Sequence, residues 1–427
     1  MNDFLDPVID SGFKGFPHHH APLRRSQIGA QGWNILHGDL PFPLAVIRRS
    51  ALDGNLAWMQ GFARAQGVDM APHGKTTMSP QLFRRQLDAG AWGITFATVT
   101  QAHVGVNAGV RRCLIANQVL TAADLAGIQG LLREHAGLRV VFLVDSLQQL
   151  ALIGQWYAAH GQPDKQPFEV LLEIGLDGGR TGCRTHALAQ VLAQALRESA
   201  AVRLVGVECY EGLWATGISE TDRALADTLM ARVLAIAREC DQRNWFECEE
   251  VLISAGGSAI FDLVAAHLSP QLSRPVRGLL RSGCYVTHDH GSYQRMLAVM
   301  NSRLGCGHGL HAAMEVWTTV QSRPEPELAI LAAGKRDMSF DSAMPVPVFV
   351  CRQGQTRVAA APPEWSVSAL NDQHAYLRVP AGATLDLEVG DRVGLGISHP
   401  CTTFDKWRWM PLVDDNYAVC DAIVTSF

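Results

Sequence analysis

Three short stretches of this chain combine residue types that do chemistry. Lys75 ends the run Pro72-His73-Gly74-Lys75-Thr76. A surface lysine is normally a solvated charge. One that closes an apolar strand at a barrel mouth is partly desolvated, which lowers its pKa and lets the amine form a Schiff base with a carbonyl. Gly74-Lys75-Thr76 also imitates the end of a P-loop, but that motif needs glycine where Asp69 stands. Gly256-Gly257-Ser258 lies between an apolar run and a helix-like one. Backbone N–H groups at such a turn bind phosphate, and glycine allows close approach; a plain strand-to-helix turn has the same composition. His399-Pro400-Cys401 sets an imidazole and a thiol two residues apart, facing one way on an extended chain. Nitrogen plus thiolate favours zinc over magnesium or calcium. Two protein ligands are one fewer than catalytic zinc usually has, so water or substrate must supply the rest. His288-Asp289-His290 has equally good spacing but falls past the last barrel strand, where an exposed turn is expected. His18-His19-His20 reads as an exposed N-terminal loop.

A frame must bring these residues together. From about residue 69 to 285 a short apolar strand alternates with a helical or irregular segment. The strands are predicted at 69–74, 93–99, 113–118, 140–145, 168–175, 204–210, 251–255 and 278–285. Segments 187–199 and 221–240 space Leu, Ala and Val at helical intervals. Residues 140–144 are continuously apolar, and 170–174 are apolar except for Glu173, as expected of parallel strands covered on both faces. Eight strands with seven crossovers predict a (β/α)₈ barrel over an open doubly wound sheet, which would need a change of strand order.

Catalysis in such a barrel sits at the C-terminal strand ends. There stand Lys75, the stretch from Glu173 to Arg180, Glu208-Cys209-Tyr210-Glu211, Gly256-Gly257-Ser258 and Arg281-Ser282-Gly283-Cys284-Tyr285. Past about residue 310, short strands at 314–320, 346–352, 375–379 and 392–396 alternate with turn signals and indicate a mainly-β domain. The predicted division is an N-terminal segment 1–50 packing partly on the β domain, a barrel 51–310 and a β domain 311–427. The strand-like stretch 44–48 could pair with either domain.

With 48% hydrophobic and 18% charged residues in 427, the composition is globular. A net charge of −5 gives no reason to expect a nucleic acid or an anionic membrane as partner. Residues 1–16 carry Asp3, Asp6 and Asp10 and no apolar h-region, so no signal peptide is expected, and no apolar run reaches spanning length. Ten cysteines without a C-x-x-C pair suggest reduced thiols in the cytoplasm.

Together these motifs resemble the D-serine dehydratase and D-threonine aldolase family, which shares the alanine-racemase-like barrel of fold type III pyridoxal-phosphate enzymes. The resemblance runs from Pro43 to Phe427. It is best at Pro72-His73-Gly74-Lys75-Thr76, Gly178-Gly179-Arg180-Thr181-Gly182, Tyr210-Glu211-Gly212, Ser254-Ala255-Gly256-Gly257-Ser258 and Ser398-His399-Pro400-Cys401-Thr402-Thr403-Phe404-Asp405-Lys406-Trp407. The last stretch, followed by Val413-Asp414-Asp415-Asn416-Tyr417, resembles the dehydratase branch; the aldolase branch typically has Asp where Cys401 stands. The chain departs from the family in Arg281-Ser282-Gly283, where Arg-Pro-Gly is common, and in phosphate-loop threonines replaced around Ala259.

The resemblance implies that Lys75 holds pyridoxal 5'-phosphate as a Schiff base, that Arg180 contacts its phenolic oxygen and that Tyr210 approaches its pyridine nitrogen. It implies that Gly256, Gly257, Ser258, Gly283 and Tyr285 surround the phosphate and that His399 and Cys401 bind zinc. The implied reaction turns a D-β-hydroxy amino acid such as D-serine into a keto acid and ammonia. Lys75 removes the α-proton and zinc assists loss of the β-hydroxyl. The same parts could serve a D-threonine-aldolase-like lyase giving glycine and an aldehyde, or a racemase without need of zinc. A non-catalytic cofactor carrier would lack the β domain with His399 and Cys401. The implied assembly is a homodimer.

Overall fold

The computed structural model describes residues 4–160 and 166–427. Eight parallel strands form the first sheet: Asp69–Met70, Ile94–Phe96, Arg112–Gln118, Arg139–Val144, Phe168–Ile174, Val202–Cys209, Val251–Ala255 and Val276–Leu280. Each pairs with its sequence neighbour from the second to the eighth, and the eighth pairs with the first. A parallel bridge between His73 and Thr95 joins the first strand's end to the second and closes the ring. Every strand predicted from the sequence is present, with ends shifted by a few residues.

The alternation of side chains explains the barrel. In Arg139–Val144, Val140, Phe142 and Val144 pack outward with the helices, while Val141 and Leu143 face the interior. The interior core also takes Leu114, Leu171, Val205, Leu252 and Leu279 from neighbouring strands. This period of two is the pleat itself. The crossover helices form where their apolar stripe demands it: His186–Glu198 buries Ala189, Leu192, Ala193 and Leu196, and Thr185 caps it by accepting from the Leu188 N–H at 3.2 Å.

The second sheet is antiparallel apart from one pair and is centred on the long strand Met314–Glu325. Leu44–Arg48 belongs here: it pairs antiparallel with Met314–Glu325 and parallel with Trp409–Val413. Trp317, Trp407 and Trp409 are fully buried in this domain. The chain's last strand, Val419–Val424, returns to the barrel. Val424 N–H donates to Gln81 Oε1 at 3.0 Å and Ser426 N–H to the Met78 carbonyl at 2.9 Å, just beyond Lys75. The β domain is thereby held over the barrel mouth.

Gly206 marks where the barrel tolerates no side chain: a Cβ there would lie 1.9 Å from the Leu252 carbonyl oxygen. Both atoms are backbone, so neither can swing away. Gly206→Ala is expected to destabilise the fold by about 2 kcal/mol or more, measured as a lowered urea midpoint with an unchanged slope.

Candidate active site

A cavity of about 460 Å³ opens at the C-terminal ends of the barrel strands, beneath the β domain. It is lined by Lys75, Arg180, Tyr210, Gly256, Gly257, Ser258, Gly283, His399 and Cys401, together with His73, Thr76, Glu173, Glu208, Arg281, Cys284 and Tyr293. Of the residues that the resemblance assigns to the cofactor or the metal, Tyr285 alone does not line it. Its ring is buried and its hydroxyl meets Gln86 Nε2 at 3.3 Å. Gly283 and Cys284 begin a helical turn that carries the next side chain to the helix behind the wall, so Tyr285 does not border the site.

Lys75 lies in the tight turn Gly74–Thr76 that follows the first strand. A Cβ on Gly74 would lie within 3.0 Å of Ile94, Phe83 and Phe96, so only glycine lets the turn pack that deeply. The Lys75 amine has no ion-pair or hydrogen-bond partner among the described residues. The cavity walls strip water from it and lower its pKa; Arg180 and Arg281 push the same way, against Cys401 and Cys284. Burial, with Lys75 next in effect, also holds the His73 imidazole neutral, and its Nδ1 is buried without a partner.

Arg180 rides on a braced loop. Arg232 donates to the carbonyls of Gly175, Cys183 and Arg184 at 2.5, 3.1 and 2.7 Å, and Gly182 N–H donates to Asp145 at 3.0 Å. The Arg180 guanidinium lies 5.1 Å from the centre of the Tyr210 ring. Deeper in, Arg281 meets Glu208 at 2.7 Å and also donates to Ser254 and to the Cys209 carbonyl. Burial pushes the Glu208 carboxyl up, but the guanidinium beside it holds an anion there, because a neutral acid would strand a buried cation. Glu208 faces inward because of a register shift at Val170/Leu171, where Leu171 pairs with Gly206. The bulge reverses the alternation, sending Val207 out and Glu208 in.

The glycine loop departs from expectation. The amides of Gly256 and Gly257 donate to the buried Glu211 carboxylate at 3.1 and 2.5 Å. Gly256, at φ +102°, adopts the left-handed backbone that makes this clamp possible. A buried carboxylate needs such donors, so these two N–H groups are not free for a phosphate. The amides of Ser258 and Gly283 meet no protein acceptor among the described residues. An amine and a guanidinium without counter-ions, two free amides and a hydroxyl therefore face one cavity. That donor set fits a small anionic aldehyde such as pyridoxal phosphate.

Opposite them, the ligand atoms of Cys284, His399 and Cys401 lie within 4.8 Å of one another. The two sulfurs are 3.5 Å apart and share a hydrogen bond that draws the Cys284 thiol down and pushes Cys401 up. His399 Nδ1 contacts Asp341 at 2.5 Å, and Asp341 also accepts from Thr402 at 2.8 Å. This contact leaves Nε2 as the nitrogen available for a metal, oriented by a carboxylate as metal-binding histidines usually are. Soft thiolates with an imidazole suit zinc. His288-Asp289-His290 is a different object. His288 and Asp289 are buried and His290 is half-buried, not an exposed turn, and Asp289 accepts the amides of Gly291, Tyr293 and Gln294 at the start of the helix Ser292–Leu304.

Comparison with known proteins fits this geometry. Residues 47–275, more than half of the chain, match the family described as alanine racemase, N-terminal domain, and residues 313–413 match a putative serine dehydratase domain. The chain belongs to the alanine-racemase-like, fold type III family of pyridoxal-phosphate enzymes. A D-threonine aldolase from Arthrobacter sp is 27% identical over 378 residues, covering 87% of this chain and 89% of the relative. A D-threo-3-hydroxyaspartate dehydratase from Delftia sp. (strain HT23) is 34% identical over 134 residues, 31% of this chain and 33% of the relative. Its solved structure superposes with a TM-score of 0.72 at 26% identity, covering 92% and 99% of the two chains. A D-threonine aldolase from Filomicrobium marinum shares the fold with a TM-score of 0.74 at 24% identity over 92% and 96%.

Several residues in or beside the cavity carried no assigned role in the sequence. Cys284 looked like one of ten scattered thiols, and only the fold brings it to a residue 117 positions away. Asp341 and Tyr293 gave no local pattern at all.

The lowered Lys75 pKa makes a prediction. Pyridoxal phosphate followed by borohydride should label Lys75, found by peptide mapping. The labelling rate should rise with pH through a midpoint below the ordinary lysine value of 10.5, since a lowered pKa frees the neutral amine sooner. Lys75→Ala should abolish the label.

Proposed function

We propose that this chain is a pyridoxal-phosphate- and zinc-dependent dehydratase that converts a D-β-hydroxy amino acid such as D-serine to a keto acid and ammonia. One observation carries the reading: the unpaired Lys75 amine and the His399–Cys401 pair line one cavity. The serine dehydratase domain match over residues 313–413, which includes both metal ligands, supports the same choice.

Bound pyridoxal phosphate would supply the electron sink, and bound zinc the Lewis acid, that this elimination needs. The rest is work for the chain. The Lys75 Nζ would hold the cofactor at its carbonyl carbon, and as a free amine it would take the proton from the substrate's Cα. His73, held neutral by burial, adds no charge of its own to that proton transfer. Arg180 would hold the cofactor's oxygen anionic, Tyr210 would pack at the ring, and Ser258 and Gly283 would donate to the phosphate. His399 and Cys401 would hold the metal that assists departure of the β-hydroxyl. Asp341 fixes the His399 ring; it is a positioning residue. The working assembly in this reading is a cytoplasmic homodimer with a small D-amino acid as its only substrate partner.

A second reading has its own support. The aldolase relative aligns along most of the chain, and a retro-aldol cleavage uses the same amine and the same metal.

Incubation with D-serine, D-threonine and D-threo-3-hydroxyaspartate, and with their L-isomers, separates the two. Keto acid with equal ammonia is expected, from D-isomers only, and a chelator should stop it. Glycine with an aldehyde would assign the aldolase, and racemised substrate with chelator resistance a racemase. Asp341→Ala should weaken zinc binding by about 10- to 100-fold, measured by chelator competition, and lower activity at limiting zinc with recovery at excess.

A further inference from the structure

The His399–Cys401 pair comes from the β domain. The third ligand-type atom beside it, Cys284 Sγ, comes from the barrel, on the turn after the eighth strand. Tetrahedral zinc with bonds to sulfur of about 2.3 Å sets two thiolates about 3.8 Å apart. The Cys284 and Cys401 sulfurs stand 3.5 Å apart, which is one edge of that tetrahedron with little adjustment. Cys284 is 5% exposed, so the thiol is not a surface group that drifts past. Thr76, next to Lys75, reaches both sulfurs through Oγ1, at 3.4 Å from Cys401 and 3.9 Å from Cys284. A hydroxyl there can donate to either thiolate and hold it in place.

We propose that Cys284 is a third protein ligand, so that the site is Cys284–His399–Cys401 with its one open position toward the cavity that Lys75 shares. This rests on the zinc reading above and sharpens it in two ways. Three protein ligands plus one open position is the usual coordination of catalytic zinc, and two thiolates with one imidazole is an established set. On binding, each thiol releases its proton to solvent, and two thiolates cancel the charge of the divalent ion. The ion is then held as a neutral unit beside a cationic lysine, with less repulsion than a site of one thiolate would give. The second consequence is mechanical. Two ligands sit on one domain and one on the other, so the metal fastens the β domain to the barrel mouth and folding energy includes metal binding.

The test uses the full-length protein kept reduced. Zinc X-ray absorption on the wild type counts scatterers without any mutation, and two sulfurs with one imidazole are expected. One sulfur would overturn the proposal while leaving a His399–Cys401 zinc site standing. Loading with cobalt(II) gives a thiolate-to-metal absorption band. Cys284→Ser and Cys401→Ser should each halve the band per bound cobalt, and the double variant should remove it. Cys284→Ser should lose zinc affinity by on the order of 100-fold or more, beyond what loss of an outer partner costs. Its melting temperature should no longer fall when chelator is added, whereas the wild type's should. A Cys284→Ser protein with the wild-type band, affinity and chelator response would overturn the third ligand alone. A wild type that binds neither zinc nor cobalt would overturn this proposal together with the zinc reading it rests on.

Discussion

Lys75 is a cation that the fold leaves without a counter-ion, and much of the surrounding structure follows from that. A lysine amine in water is strongly hydrated and unreactive; one facing a walled cavity with arginines nearby loses part of that hydration and part of its proton affinity. The carboxylates that could have neutralised it are engaged elsewhere. Glu208 is paired with Arg281 at 2.7 Å, Glu173 accepts from Thr181 and Gln118, and Glu211 is clamped by two glycine amides. The site is thus a set of carboxyl groups each engaged with its own partners, and two basic side chains, Lys75 and Arg180, that no carboxylate pairs with among the described residues. A small anionic molecule is the natural complement of such a surface.

The β domain closes the cavity from the side opposite the barrel. Its final strands return to the loop after Lys75, and its His399–Cys401 segment drops in over the cavity. Two domains of different texture meet at one small volume, and neither holds all of the chemistry. The relatives share the fold, while their names divide between carbon–carbon and carbon–oxygen cleavage. The division is chemically natural. Both reactions start from an amino acid held at the same cofactor, and they differ in which proton is removed: the one on Cα or the one on the β-hydroxyl.

The barrel strands were legible because a buried parallel strand has few ways to look: 140–144 and 170–174 are apolar runs that nothing else explains. Lys75, Arg180, His399 and Cys401 could be picked out because each sits at a motif whose local chain is short and well defined. What could not be read depends on phase or on distance. Glu208 points inward only because a bulge shifts the pleat by one residue, which no periodicity count reveals. Gly256 and Gly257 offered amides to an expected phosphate, yet the side chain that takes them, Glu211, lies some forty-five positions earlier and on another strand end. Tyr285 lies within a helical turn that carries its ring away from the cavity, against Gln86. Cys284 is the clearest case: its partners come from a different domain, so sequence spacing carries no trace of them.

The hydrogen bond from Val424 to Gln81 spans 343 positions, and it has a consequence for how the molecule is made. At roughly 5–20 residues per second, a ribosome needs on the order of half a minute to deliver that partner after the Lys75 loop has emerged. Through that interval the barrel strands can already pair with their neighbours, but the loop bearing the amine lacks the strand that ties it down. The reactive pocket is therefore assembled only after Val424 has emerged, and a chain that stops short of it does not yet present a completed site to the aldehydes and metals of the cell.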